Sequence, residues 1–242
     1  MKLIINADDF GMSVGTTYGI LSAMERGIVS TTTFMVNGLA TQLAASIAKR
    51  NGLNVGLHFN ISLFRPLTDC PSLTEGGEFV KPKNLCGKRY DEKEIRKELQ
   101  AQFDKFCQLM GKLPTHIDSH LYTHQKIAEV AKTVKAFAEE KQLPVRDCAT
   151  ANFPKVKFVD LFKITQNSFS AAEEKLSEVI LSQKSETVAE IMVHPAFADD
   201  FLLQKSSYNL QRVYEYGAVT SPKVRQLIET LQIQLSGYNG TR

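Results

Sequence analysis

The sequence predicts an α/β fold in which a parallel sheet is rolled into a (β/α) barrel, or an incomplete TIM-type barrel, as one domain over residues 1–242. Three observations lead there. Short apolar runs rich in β-branched residues alternate with longer segments of helical spacing, the pattern of successive βα units. Six or seven such units fit in the chain, and none carries the glycine-rich phosphate fingerprint of dinucleotide-binding sheets. No linker or second hydrophobic pattern divides it, although a long irregular stretch is inserted at about 63–90.

The first strand is KLIIN, an apolar run that stops at polar residues, as a strand covered on both faces does. TTYGILSAMERG follows with helical spacing and ends on Gly27. The cycle repeats with the strand IVSTTTFMV, the helix LATQLAASIAKRNG and the strand LNVGLHFNI. After the insertion, which carries Pro66, Pro71 and Pro82, the run DEKEIRKELQAQFDKFCQLMG is an amphipathic helix with acids in its first turn. Gly111 and Pro114 then stop helix formation, so THIDSHLYTH reads as a strand end and the loop beyond it. On a strand, His116, Asp118 and His120 project to one side together. The helix QKIAEVAKTVKAFAEEK comes next, then a fifth strand at LPVRD, a looser helical region over 158–184 and a sixth strand at VAEIMVH. Two helical stretches, near Tyr208–Tyr216 and Pro222–Leu231, and a last strand at IQLSGY close the chain.

Composition narrows the function. Hydrophobic residues make up 43% and charged residues 23%, with a net charge of +3 and no long basic run, so nucleic acid is not an expected partner. The four cysteines, at 70, 86, 107 and 148, have no CxxC spacing and read as free thiols. No secretory h-region is visible, and no apolar run approaches the roughly 20 residues of a membrane span. A cytoplasmic protein with no membrane partner is expected.

The chemistry gathers at strand ends. Asn6, Asp8 and Asp9 follow the first strand, and His58 lies in the third. His116, Asp118, His120 and His124 lie in the fourth or just past it, Arg146 and Asp147 end the fifth, and His194 ends the sixth. Taken singly, each has a plain structural reading: a hydrogen-bonded histidine, an acidic turn, a surface ion pair. Together, all five histidines and an adjacent acid pair fall at the edge where parallel sheets bind ligands. An aspartate with two histidines suits Zn²⁺ or a similar divalent ion. One acid of the pair can ligate such an ion while the other takes a proton from water.

The blocks NADDFG, GLHFN, THIDSHLYTH and MVHPAF, in that order, resemble the signature blocks of the YdjC-like carbohydrate deacetylases. The likeness extends through SSYNLQRVYEYGAVTSPKVR, essentially to the C-terminus. The resemblance implies a barrel-like fold, a homodimer, and a metal-dependent hydrolase removing N-acetyl groups from acetylated carbohydrates of the chitooligosaccharide type. It implies one divalent cation, commonly Mg²⁺, held by Asp9, His58 and His120. Two imidazoles in that set favour Zn²⁺ or another transition ion. Asp8 becomes the general base, His194 the general acid and Arg146 the residue that orients Asp8. His124 and Tyr122 would meet the sugar, with His116 and Asp118 supporting the ligands. The chain departs from the family at Tyr122, where many members have histidine, and at Ala196, where many have glycine.

Charged His194 and ionised Asp8 together predict a bell-shaped pH–rate profile. The insertion, with Arg65, Lys81, Lys83, Lys88 and Arg89 beside Phe64 and Phe79, reads as a lid favouring an anionic or phosphorylated saccharide. The rival readings are another barrel hydrolase, a phosphoesterase or cyclic amidase with two metals, or a non-catalytic saccharide- or metal-binding protein.

Overall fold

The computed structural model describes residues 1–81, 90–161 and 167–240; Lys83, Cys86, Lys88 and Arg89 lie outside the described residues. The chain begins with β1 (Lys2–Phe10), α1 (Val14–Arg26), β2 (Thr31–Phe34), α2 (Thr41–Arg50) and β3 (Val55–Phe59). A small hairpin, β4 (Thr74–Glu75) and β5 (Glu78–Phe79), occupies part of the insertion. Next come α3 (Glu92–Met110), β6 (Ile117–Ser119), the one-turn α4 (Thr123–Lys126) and α5 (Ala128–Lys141). The last third holds β7 (Lys157–Asp160), α6 (Phe169–Ser182), β8 (Val188–Val193), α7 (Asp200–Lys205), α8 (Leu210–Val219), α9 (Pro222–Thr230) and β9 (Gln234–Leu235). Local chemistry sets the helix ends. Ser13 and Thr16 form a reciprocal capping box on α1, Asp91 caps α3, and Gly111 ends α3 in the left-handed region at φ 70°.

The strands form one parallel sheet in the order β6-β3-β2-β1-β8-β7, with β9 beside the start of β1. Strand alternation divides β1 between two environments. Leu3, Ile5 and Ala7 join the main core with the helices, whereas Ile4 packs on the other face with Val156, Val188 and Tyr238. Tyr238, from the turn after β9, plugs the interior: its ring stacks on His116 at 3.9 Å and its hydroxyl donates to Glu190. Gly56 faces the His116 imidazole so closely that a Cβ there would lie 2.5 Å from it. The interior is therefore packed with side chains, as in closed barrels.

The sheet curls without closing by hydrogen bonds among the described residues. Val145 adds a single parallel bridge to Ile117 at the β6 end. Arg146 then crosses the interior to lie 5.2 Å over the ring of Phe158 on β7, the strand at the opposite end. Side chains span the remaining gap.

Two expectations change. The fifth strand, LPVRD, shrinks to the Val145 bridge because Asp147 takes φ 54° and turns the chain back, with Cys148 N donating to the Val145 carbonyl. The start of the expected helical region is instead β7, and the helix forms only at Phe169–Ser182. A four-residue strand at the end of a sheet, half covered, leaves too little apolar pattern to read.

Candidate active site

The site starts from an irregularity in β1. Ala7 pairs with Thr32 and Phe10 with Phe34, so β1 holds one extra residue between these positions, a bulge. Asp9 sits in it at φ 74°. Adjacent side chains of a regular strand point to opposite faces; the bulge brings both Asp8 and Asp9 to the same cleft. Leu121 and Tyr122, just after β6, also line the cleft with φ of 52° and 60°. Such conformations cost of the order of 1–3 kcal/mol each and cluster where function fixes the backbone.

Asp8 is 2% exposed, and Arg146 grips it through Nη1 to Oδ2 and Nη2 to Oδ1, both at 2.6 Å. Asn6 Nδ2 donates to Asp8 Oδ1 at 2.7 Å. Asp9 faces elsewhere. Its Oδ1 lies 3.1 Å from His58 Nε2 and 3.0 Å from His120 Nδ1, and its Oδ2 pairs with Arg212 Nη2 at 2.7 Å. Burial pushes the Asp9 carboxyl up, but Arg212 and His120 outweigh it and hold the group well below the usual carboxylate range.

Asp9, His58 and His120 each offer one donor atom, and these lie within 4.8 Å of one another. The arrangement fits a divalent cation. His58 Nδ1 is held by Asp118 Oδ1 at 2.7 Å, while buried His58 Nε2 makes no hydrogen bond among the described residues. A carboxylate behind a ligating imidazole sets its tautomer and its aim. Burial lowers the His58 pKa, but Asp118 overrides it and raises the value to about 10.

A second convergent set, Asp8, His58 and Asp118, carries a cation from the chain itself. Arg146 Nη1 touches Asp118 Oδ2 at 2.9 Å as well as Asp8. Thr33 Oγ1 also donates to Asp118 Oδ2, at 2.9 Å. Burial raises the Asp118 carboxyl, and Arg146 and His58 more than reverse that.

A family model described as YdjC-like protein matches residues 2–230. This chain belongs to the YdjC-like family. The YdjC-like chain is 38% identical over 238 residues to a carbohydrate deacetylase of Geobacillus stearothermophilus, covering 97% of this chain and 96% of that one. It is 36% identical over 252 residues to a chitooligosaccharide deacetylase of Yersinia enterocolitica serotype O:8, covering 98% of each. A crystal structure from Enterococcus faecalis V583, described as a candidate cellobiose-phosphate cleavage protein, matches with a TM-score of 0.89 at 29% identity, over 98% of this chain and 97% of that one.

The remaining positions of the YdjC-like site divide. His194, after β8, lines the cleft, and its backbone N–H donates to Glu215 Oε2 at 2.5 Å. Burial, with the Arg212 guanidinium beside it, pushes its imidazole down to about 4. Tyr122 lines the cleft with Asp160 beside its hydroxyl. His124 does not line it. Its Nδ1 meets Ser119 Oγ at 2.5 Å, its Nε2 meets the Arg146 carbonyl at 3.0 Å, and it is 5% exposed. With one ring nitrogen on the Ser119 hydroxyl and the other on the Arg146 carbonyl, the ring lies behind the cleft wall, which corrects the expectation of a sugar contact. Phe79 is likewise buried in the main core, and Phe64 packs on Phe201 at 5.5 Å.

Sequence reasoning missed Arg212, Glu190, Glu215, Thr33 and Tyr238. Arg212 and Glu215 lie three apart on α8, which reads as an ordinary charged helix face, yet both are buried. Their signal was an arginine and a glutamate on the side of a helix that also carries Ala218 and Val219.

Proposed function

We propose that this YdjC-like protein is a metal-dependent hydrolase that removes N-acetyl groups from acetylated carbohydrates, of the chitooligosaccharide type, and releases acetate. The division of labour between Asp8 and Asp9 carries the reading: one carboxylate faces two imidazoles, and its neighbour faces the same cleft held by a guanidinium. A divalent ion held by Asp9, His58 and His120 would polarise the acetamide carbonyl and make water more acidic. The two imidazoles favour Zn²⁺ or another transition ion, and the family resemblance favours Mg²⁺.

Asp8 acts as the general base, taking a proton from the attacking water, while Arg146 fixes both of its oxygens. His194 passes a proton to the leaving amine. The Arg146 guanidinium occupying the second acidic set favours one ion per chain over the two-metal readings. A retired, non-catalytic scaffold is disfavoured because both base and acid positions are kept.

The test is acetate release from N-acetylglucosamine oligomers. The native protein should release acetate, and Asp8→Asn should lower kcat by about 10²–10⁴-fold with cation binding kept. Equal rates for the two would sink the proposal.

The substrate class is proposed to be anionic, a phosphorylated saccharide, since Lys81 and Lys205 line the cleft with Ser206 and Ser207. Equal kcat/KM for neutral and 6-phosphorylated substrates would refute this. Cytoplasmic residence and a homodimer belong to the same reading. Among the described residues no helix is long and apolar enough to cross a membrane. Light scattering on the purified protein would test the homodimer.

A further inference from the structure

The interior holds two buried arginines whose hydrogen-bond inventories differ. Arg146 spends every guanidinium nitrogen on carboxylates: Nε on Glu190 at 2.8 Å, Nη1 and Nη2 on Asp8 at 2.6 Å each. Arg212, 5% exposed, donates Nε to the Tyr208 carbonyl at 2.9 Å, and its Nη2 forms an ion pair with Asp9 Oδ2 at 2.7 Å. Its Nη1 is buried and makes no hydrogen bond among the described residues. Buried donors, charged ones above all, are almost always satisfied, and an exception calls for an acceptor that arrives later.

The place of this donor suggests the acceptor. Arg212 lines the cleft together with Asp8, Asp9, His58, His120 and His194. It cannot swing freely. Its own backbone carbonyl accepts from Ala196 N at 3.2 Å, next to His194-Pro195, and its other two nitrogens are pinned. A fixed cationic donor beside the base, the acid and the cation donors is the kind of group that stabilises charge developing on an acyl oxygen.

We propose that Arg212 is a catalytic residue whose Nη1 hydrogen-bonds the acyl oxygen of the N-acetyl group as it gains negative charge, and then the carboxylate of the acetate product. This rests on the deacetylase reading. The reaction balances without a co-reactant: water adds its hydroxyl to the acyl carbon, the C–N bond breaks, and the amine keeps the pair and gains the proton. Through Nη2, the same side chain holds Asp9 Oδ2 and leaves Oδ1 turned to the two imidazoles.

The test compares wild type with Arg212→Lys and Arg212→Gln in three readouts: kcat and KM, cation stoichiometry by elemental analysis, and acetate binding to the cation-loaded protein by calorimetry. Melting curves verify folding, and the lysine variant keeps a charge beside Asp9 should the glutamine variant fold poorly. Both variants should lose about 10²–10³-fold in kcat with KM changed less than about threefold, keep their cation, and bind acetate at least about tenfold more weakly. Loss of the cation in step with activity would overturn the proposal, because Arg212 would then act only through Asp9. Full acetate affinity in both variants would overturn it too. Should wild type release no acetate from any substrate, the deacetylase reading fails, while the acetate calorimetry still decides whether Arg212 is an anion-binding group.

Discussion

Two constellations in the barrel share His58 and differ in what completes them. Asp9, His58 and His120 converge beside the cleft, and Asp8, His58 and Asp118 converge one layer deeper. Both satisfy the geometry of a cation site. In the deeper one the cation is covalently part of the chain: Arg146 bridges Asp8, Asp118 and Glu190. In the outer one the imidazole nitrogens meet a single carboxylate oxygen, and the only guanidinium on Asp9 among the described residues sits on its other oxygen. Clustered acids and imidazoles are a candidate metal site only where the chain has not supplied its own cation.

The largest effect that would sharpen this contrast is on stability. Arg146→Met would leave three buried carboxylates without their partner and should destabilise the fold by about 3–5 kcal/mol. Denaturant unfolding at neutral pH measures it, and a loss under about 1 kcal/mol would mean the deeper set does not depend on its guanidinium. Part of the loss should be recovered at low pH, where protonation removes the unpaired charges.

An intermediate effect falls on the link between the two sets. Asp118→Asn keeps an acceptor for the His58 ring but removes its charge, and the outer set should lose about 10–100-fold in cation affinity. Titration calorimetry reads this directly; unchanged affinity would uncouple the two constellations.

The smallest effect is graded with pH. Below pH 10, ion-free His58 carries a proton that a cation must displace. Apparent cation affinity should therefore rise by about tenfold per pH unit over the neutral range. The sign for stability is opposite. A histidine raised from 6.5 to about 10 stabilises the ion-free protein fully below pH 6.5, and that contribution is lost as pH climbs through about 10. A pH-independent affinity would show that no proton is exchanged at His58.

How much of this was legible in the sequence follows from what each feature depends on. The apolar runs of β1, β3 and β8 and the long amphipathic α3 were plain, since burial on a repeating face leaves a repeating pattern. The histidines and the acid pair were visible as strand-end residues. What hid were features set by a single backbone torsion or by tertiary packing. The bulge that turns Asp9 beside Asp8 has no composition signal, and neither does the reversal at Asp147 that cuts the fifth strand to one bridge. His124 shares its spacing with His116 and His120, yet Ser119 and the Arg146 carbonyl draw its ring inward. Arg212 sits at the cleft only because α8 packs there, a tertiary placement with no local pattern to announce it.

Everything proposed for the site depends on Asp9, His58 and His120 holding one divalent cation. Elemental analysis of protein purified without chelator or metal-affinity resin, repeated on Asp9→Ala, His58→Ala and His120→Ala, tests it most directly. The native chain should carry one ion, and each variant should lose it while the fold persists. Full occupancy in all three variants, or two ions per native chain, would contradict it.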